Sequence, residues 1–148
     1  MRKLALLTCF IFIITACHKK PELGLITEKA MVVSARIEAS EIGLSILNKG
    51  GNAYDAMVAT HFALAVVYPA AGNIGGGGFM VYRHNDGTKG ALDFREKAPI
   101  TAHKDMYLDS LGNVIKNKSV LGAHAVGIPG SVAGVFEVFQ KLGSLPFS

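Results

Sequence analysis

Residues 52–83 read NAYDAMVATHFALAVVYPAAGNIGGGGFMVYR, and this stretch decides the fold class. Asn52 suits the N-cap of a helix, and Asp55 follows three positions later, where a carboxylate meets free backbone N–H groups. The run Ala53–Val67 is apolar nearly all round, as expected for a helix that is buried on most sides. Phe79–Arg83 then favours a β-strand. The stretch therefore predicts a buried helix, a glycine-rich connection and a strand.

The flanking sequence adds elements on both sides of this stretch. Met31–Ala35 is a short β-favouring run, and the helical spacing after it predicts an amphipathic helix that stops at Gly50-Gly51. Asp86-Gly87 is a turn pair. Gly90–Glu96 is therefore expected to return as the second strand of a β-hairpin.

The remaining sequence consists of a surface segment and a last helix. Residues 97–121 are polar and rich in turn signals, which predicts an excursion over the surface. Ser131 is a candidate N-cap for a helix that ends near Gly143. The residues that this helix is expected to bury are Val132, Val135, Phe136 and Phe139. The order of elements predicts mixed α/β layers, with helices packed on a largely antiparallel sheet.

Composition places the chain among globular proteins. Its 148 residues are 50% hydrophobic and 18% charged, with 17 glycines and a formal charge of +4. These values exclude disordered, collagen-like and disulfide-stapled classes, and the length suits a single domain. The residues after Lys141 include apolar side chains and no polar tail, so we expect the chain to be a fragment of a longer protein.

The first residues have the layout of an export signal. Residues 1–16 combine a basic start, an apolar run too short to cross a bilayer and a small-residue end, so we expect a signal peptide. Cys17 follows, as in the bacterial lipobox, and residues 17–28 are then a lipidated N-terminus and tether. A plain signal peptide with an incidental cysteine is the alternative. The expected location is the periplasm or the cell surface, with the protein attached to a membrane.

The charge balance after export argues against one class of partner. Removal of residues 1–16 takes Arg2 and Lys3 from the 15 basic residues, which leaves 13 against 11 acidic ones. The mature excess is then only +2, and no nucleic-acid partner is expected.

The four glycines Gly75–Gly78 do not fit a phosphate-binding loop. A Walker loop needs Lys-Ser/Thr and a helix after its last glycine, whereas Phe79 and a strand follow here. Two uses remain open for these glycines. They allow backbone to pass closely between neighbouring elements, or they turn backbone N–H groups toward an anion.

No metal or cofactor is expected from the sequence. The histidines form no HxxxH-type pair, and Cys17 is assigned to lipid. His61, alone on an apolar helix, is expected to be a hydrogen-bonded buried histidine and not a catalyst. No serine or cysteine stands in the setting of a catalytic nucleophile, so no catalytic residue is assigned in this chain.

Arg95 lies near the end of the second predicted strand, between Asp93 and Glu96. A guanidinium can grip a carboxylate through two parallel N–H bonds, which would orient a small anion that resembles an amino acid. The same spacing also suits a structural ion pair with Asp93 or Glu96. The residue pattern alone leaves both roles open.

Four motifs, in this order, resemble the N-terminal part of the large subunit of gamma-glutamyltranspeptidase (glutathione hydrolase). They are GGNAYDA at 50–56, PAAGNIGGGGFM at 69–80, LDFREKAP at 92–99 and GIPGSVAG at 127–134. The resemblance covers about Lys29 to Leu145. It identifies residues 29–148 as a partial, C-terminally truncated large-subunit domain.

The resemblance implies the fold of an N-terminal nucleophile hydrolase, a four-layer αββα sandwich that this chain holds only in part. It also implies a precursor that cuts itself into a large and a small subunit. A threonine at the start of the small subunit then attacks the γ-glutamyl amide of glutathione or related compounds. Water or an amine or peptide acceptor completes the turnover. No threonine of this chain has the cleavage context, so the chain alone is expected to be inactive.

The resemblance further assigns Arg95 to the α-carboxylate of the glutamyl group, which favours the binding role over the ion pair. Two other functions remain open. One is a related β-lactam side-chain acylase, and the other is a non-catalytic lipoprotein that keeps the scaffold as a binding module.

Overall fold

The computed structural model describes residues 24–147. Cys17, the signal peptide expected at residues 1–16 and most of the expected tether lie outside the described residues. Residues 24–30 contain no helix or strand, and the chain from Met31 onward forms one compact unit. Across the part that the structure describes, no helix has both the length and the apolar character needed to cross a membrane.

The unit contains three α-helices, one β-hairpin and one short 3₁₀ helix. In chain order these are α1 (Ile37–Asn48), α2 (Ala53–Val67), β1 (Phe79–Arg83), β2 (Lys89–Asp93), the 3₁₀ helix Ala123–Ala125 and α3 (Ser131–Leu142). The predicted order of helix, helix, hairpin, surface segment and helix is confirmed. The strand expected at Met31–Ala35 is wrong, because a β-favouring composition makes a strand only where a partner strand pairs with it, and none does within residues 24–147.

Helix α2 begins where the sequence places its cap. The Asn52 side chain accepts hydrogen bonds from the backbone N–H groups of Tyr54 (2.8 Å) and Asp55 (3.0 Å). In return the backbone N–H of Asn52 donates to Asp55 Oδ2 at 2.8 Å. This reciprocal capping box satisfies donors that a helix start otherwise leaves unpaired, and it fixes the first turn of α2.

The same two residues join α2 to the end of α3. Asn52 Nδ2 donates to the carbonyl oxygen of Leu142 at 2.7 Å. Ser144 Oγ donates to Asp55 Oδ2 at 2.6 Å, and the backbone N–H of Ser144 donates to Asp55 Oδ1 at 3.1 Å. The Asp55 side chain is buried, at 6% exposure. The two residues that cap α2 therefore also form long-range hydrogen bonds to the chain at the end of α3.

Helices α1 and α2 pack closely because one of the contacting residues has no side chain. Ala39 and Gly43 are the buried residues of α1. A Cβ atom at Gly43 would overlap Thr60 Oγ1 and would lie 2.8 Å from Val32 Cγ1. Helix α2 is less enclosed than its composition predicts, since Val66 is 79% exposed.

The core lies between α2, α3 and the inner face of the hairpin. Val58 of α2 is buried against Val135 and Val138 of α3. Burying each such side chain contributes about 1.5 to 3 kcal/mol. The partly buried residues that complete this core are Tyr54, Met57, Phe62, Met80, Leu92, Phe139 and Leu142.

The hairpin is antiparallel, with Met80 opposite Leu92 on the face toward the core. Gly87, at φ +90°, provides the left-handed backbone that the turn requires. On the opposite face, Phe79 and Val81 are 67% and 84% exposed. Exposed and half-buried residues thus alternate along both strands.

Helix α3 differs from its prediction in its cap and in part of its buried face, although Val135 is buried as expected. Ser131 is its first helical residue and is buried, while Gly130 occupies the cap position without a side-chain hydrogen bond. The buried positions are Ser131, Gly134, Val135 and Val138. Val132 and Phe136, expected to be buried, are 47% and 43% exposed. The prediction counted only large apolar residues, whereas the contacting stripe includes a glycine and a serine.

We expect Asp55→Ala to lower the free energy of unfolding at neutral pH by about 2 to 3 kcal/mol, because it removes several hydrogen bonds to a charged acceptor. Burial would raise the pKa of the Asp55 carboxyl, but the hydrogen bonds from Ser144, Asn52 and Leu145 outweigh it and hold that pKa below its usual value. The stabilisation is therefore present above the pKa of the unfolded chain and is lost as the pH falls through the lower folded value.

Urea unfolding of the full gene product, from neutral pH down to about pH 2, measures this effect. Asp105→Ala, which removes an exposed carboxylate that accepts no hydrogen bond in the described residues, is the matched control and should unfold like the parent. A deficit for Asp55→Ala that stays constant across the pH range would contradict the role of the charge.

Candidate functional site

Three separate motifs of the sequence meet at Phe94–Lys97, directly after strand β2. Phe94 continues the ladder beyond the strands, with its N–H donating to Gly78 O at 3.0 Å. Lys97 pairs with Ile128 through two backbone bonds of 3.1 and 2.8 Å. The segment that carries Arg95 is therefore held on one side by the four glycines Gly75–Gly78, which we call the tetraglycine loop, and on the other by the segment before α3.

Glycines make this convergence possible. We call Gly77, Gly78, Gly130 and Gly134 the glycine clamp. A Cβ atom at Gly77 would lie 2.6 Å from Glu96 N, 2.7 Å from Phe94 O and 2.8 Å from Arg95 C, all of them backbone atoms. Cβ atoms at Gly130 and Gly134 would overlap Phe94 O and the Phe94 ring, and one at Gly78 would lie 2.8 Å from that ring. Of the two uses open for the tetraglycine loop, the geometry supports close passage of backbone.

The start of α3 is also part of this arrangement. The backbone N–H groups of Gly130 and Ser131 both donate to Gly76 O, at 2.8 and 3.0 Å. A loop carbonyl thus takes the place of the serine cap expected from the sequence. These hydrogen bonds hold the N-terminus of α3 against the tetraglycine loop, and both pack against the segment that carries Arg95.

Arg95 is exposed, and its backbone and its side chain differ in the contacts that they make. Its backbone N–H donates to Asp93 Oδ1 at 2.9 Å. Its guanidinium lies in no ion pair, since the salt bridge found within residues 24–147 joins Lys141 to Glu137. The structural ion pair with Asp93 or Glu96 is therefore not formed. The guanidinium remains available for an external carboxylate while the backbone beneath it is held firmly.

His61 differs from its expected state. Its Nε2 atom is buried and has no hydrogen-bond partner, so the hydrogen-bonded histidine expected from the sequence is wrong at this nitrogen. Burial lowers the pKa of His61, which favours the neutral ring at neutral pH. The neighbouring Thr60 Oγ1 is likewise buried and unpartnered.

An aromatic cluster that sequence reasoning missed lies where the start of α2 meets the end of β1. Tyr54 OH lies 3.1 Å from His84 Nδ1, and the rings of Tyr54, Tyr82 and His84 meet edge to face. Spacing of Tyr82 and His84 by two predicts a shared strand face, but nothing local predicts Tyr54 beside them. Across the described ranges, no group of three or more His, Cys, Asp or Glu residues is placed to hold a metal ion.

Gly77→Ala tests the clamp, because the added methyl has only backbone to displace. We expect it to lower the free energy of unfolding of the full gene product by about 1 to 3 kcal/mol and to speed amide exchange at Phe94 and Lys97. Gly75→Ala is the matched control in the same loop, since a Cβ there would meet only Asn73 Oδ1 at 3.4 Å. Equal effects of the two substitutions would refute the steric argument.

The motifs of this site match known proteins. A family model described as gamma-glutamyltranspeptidase matches residues 39–148. The glutathione hydrolase proenzyme of Pseudomonas sp. (strain A14) is 53% identical over 138 residues, which cover 93% of this chain and 24% of the relative. The glutathione hydrolase proenzyme of Escherichia coli (strain K12) is 47% identical over 121 residues, which cover 82% of this chain and 21% of the relative.

A solved structure agrees with the sequence matches. Helicobacter pylori gamma-glutamyltranspeptidase aligns with a TM-score of 0.76 at 52% identity, covering 82% of this chain and 35% of that one. The α/β fold class expected from the resemblance is confirmed by this likeness. The chain spans about a quarter of the length of the curated relatives that it matches. With a family model over most of its residues, the chain belongs to the gamma-glutamyltranspeptidase family.

Proposed function

We propose that this chain is part of a gamma-glutamyltransferase, or glutathione hydrolase, in which Arg95 binds the α-carboxylate of the γ-glutamyl group. One observation carries the proposal. Arg95 has no ion-pair partner in the described part of the chain, and its backbone is held where the family motifs converge. A free guanidinium on a rigid base suits the capture of a small anionic substrate.

The chemistry of the guanidinium explains the preference for an amino-acid end. Two parallel N–H···O bonds to a carboxylate fix the orientation as well as the position of the substrate. With the α-carboxylate held, the γ-amide of a glutamyl compound lies at a distance from Arg95 that the two methylenes of its side chain limit. The site thereby selects substrates with a free α-carboxylate at that distance from the scissile amide.

The bond-breaking step falls to a part of the enzyme outside this chain. The proposal assigns it to a threonine that begins the small subunit made from the same precursor, with glutathione or another γ-glutamyl compound as substrate. The threonine hydroxyl attacks the γ-carbonyl, the amine leaves, and water or an amine or peptide acceptor then takes the glutamyl group. Family membership supports this assignment.

The proposed location follows from the first residues. Residues 1–16 have the layout of a signal peptide, and Cys17 stands where lipidation would occur. We propose an exported enzyme on the periplasmic or outer cell surface, attached to a membrane through lipid on Cys17. An exported location would give the enzyme access to extracellular γ-glutamyl compounds.

Kinetics of the full gene product test the role of Arg95. Arg95→Ala should raise KM for a γ-glutamyl anilide by about 10 to 100 fold, as expected when hydrogen bonds between charged groups are lost. Arg95→Lys keeps the charge but not the two parallel bonds, and should fall between the parent and Arg95→Ala. Free glutamate should compete with the anilide in the parent, which a β-lactam side-chain acylase would not show.

Arg83→Ala is the matched control, since Arg83 is also an exposed arginine and lies at the end of β1 that is distant from Arg95. Its KM should equal that of the parent. Unchanged kinetics for Arg95→Ala would remove Arg95 from the site, and a parent without hydrolysis or transfer would favour the non-catalytic binding module.

Metabolic labelling with radioactive palmitate tests the anchor. The parent should incorporate label, and Cys17→Ala should lose it, because the substitution removes the thiol that carries the lipid. Cys9→Ala, which alters the other cysteine within the expected signal peptide, is the control and should keep the label. Label that persists in Cys17→Ala would refute lipidation at this residue.

A further inference from the structure

The carboxylate of Asp93 faces the backbone of Arg95 and not its side chain. Asp93 is the last residue of β2, opposite Phe79 in the hairpin register. One residue later, Phe94 completes its backbone bonds with Gly78, and the N–H of Arg95 then turns to Asp93 Oδ1 at 2.9 Å. The chain leaves the ladder at this point, and the side chain of Asp93 accepts the backbone N–H of the second residue after it.

This bond is the shorter of two hydrogen bonds that hold the peptide joining Phe94 to Arg95. Glycine packing restrains the carbonyl carbon of Arg95 through Gly77, and the backbone pair of Lys97 with Ile128 holds the chain two residues later. In the peptide that joins Phe94 to Arg95, the carbonyl oxygen accepts the backbone N–H of Gly78 at 3.4 Å and lies against Gly130. Asp93 Oδ1 holds the other polar group of this peptide, the N–H of Arg95, at the residue from which the guanidinium side chain extends.

We propose that Asp93 is a positioning residue, whose side-chain oxygen aims Arg95 at the substrate by accepting the Arg95 backbone N–H. The inference rests on the proposed function and extends it to a second residue. The acceptor oxygen performs this role, and the negative charge does not contribute to it. Asparagine presents a carbonyl oxygen in the same position, and it lacks the charge that would repel an incoming carboxylate.

The test separates the hydrogen-bond acceptor of the Asp93 side chain from its negative charge. In the full gene product, Asp93→Ala should raise KM for a γ-glutamyl anilide by about fivefold with kcat nearly unchanged, as expected for the loss of one hydrogen bond outside the reacting centre. Asp93→Asn should restore KM to within about twofold of the parent. Thermal unfolding of each variant should match the parent, since Asp93 is exposed.

The matched control uses the same kind of bond elsewhere on the hairpin. Asp86 Oδ1 accepts the backbone N–H of Thr88 at 2.8 Å, in the turn between β1 and β2. Asp86→Ala should therefore leave KM at the parent value. If Asp86→Ala raised KM as much as Asp93→Ala, general loosening of the hairpin would explain both, and the positioning role would be overturned.

The remaining outcomes separate this inference from the proposed function. A raised KM in Asp93→Asn equal to that in Asp93→Ala would assign the effect to charge and overturn the inference. A silent Asp93→Ala beside a raised KM in Arg95→Ala would overturn the inference alone. A parent without activity, or an Arg95→Ala that behaves as the parent, would overturn the proposed function and this inference with it.

Discussion

A close approach of backbone to backbone, where Phe94–Glu96 lies against the tetraglycine loop and the start of α3, positions the segment that carries Arg95. At Gly77 and Gly130 the neighbouring backbone occupies the space of a Cβ atom. Other features depend on this contact. The hairpin meets α3 here, the carbonyl of Gly76 caps α3 here, and the backbone that carries Arg95 is held here. A protein interior is packed densely enough that a displacement at such a point is transmitted to all three segments.

Helix α3 links this contact to the opposite side of the unit. Its first residues bond to Gly76 O, its middle buries Val135 and Val138, and the chain just beyond its end bonds to Asp55. Both termini are thus held by polar bonds, and the middle is held by apolar contacts. Since α2 carries Asp55 and part of the core, α3 connects the candidate site to the helical layer.

The sequence predicts elements better than it predicts contacts. The bounds of α2 and β1 follow from local signals, namely the cap at Asn52 and the β-favouring run after Gly78. On α3, Val135 is buried as predicted, but Val132 and Phe136 are exposed, because the contacts of this helix use Gly134, which a periodicity of large apolar residues ignores. Convergence of the three motifs on Phe94–Lys97 could not be derived, since local pattern carries no information about which distant segments meet. Family resemblance pointed to Arg95, and local spacing alone left its role undecided.

The bond between Ser144 and Asp55 spans 89 residues of sequence, and this separation bears on the order in which the chain folds. Asn52 and Asp55 can cap α2 as soon as those few residues exist, and α1 is adjacent in sequence, so a helical pair can form early at little cost in chain entropy. Closing a loop of this length costs more chain entropy than forming a helix cap. Asp55 therefore joins a contact of low entropic cost within its own helix to one of high entropic cost at the far end of the unit.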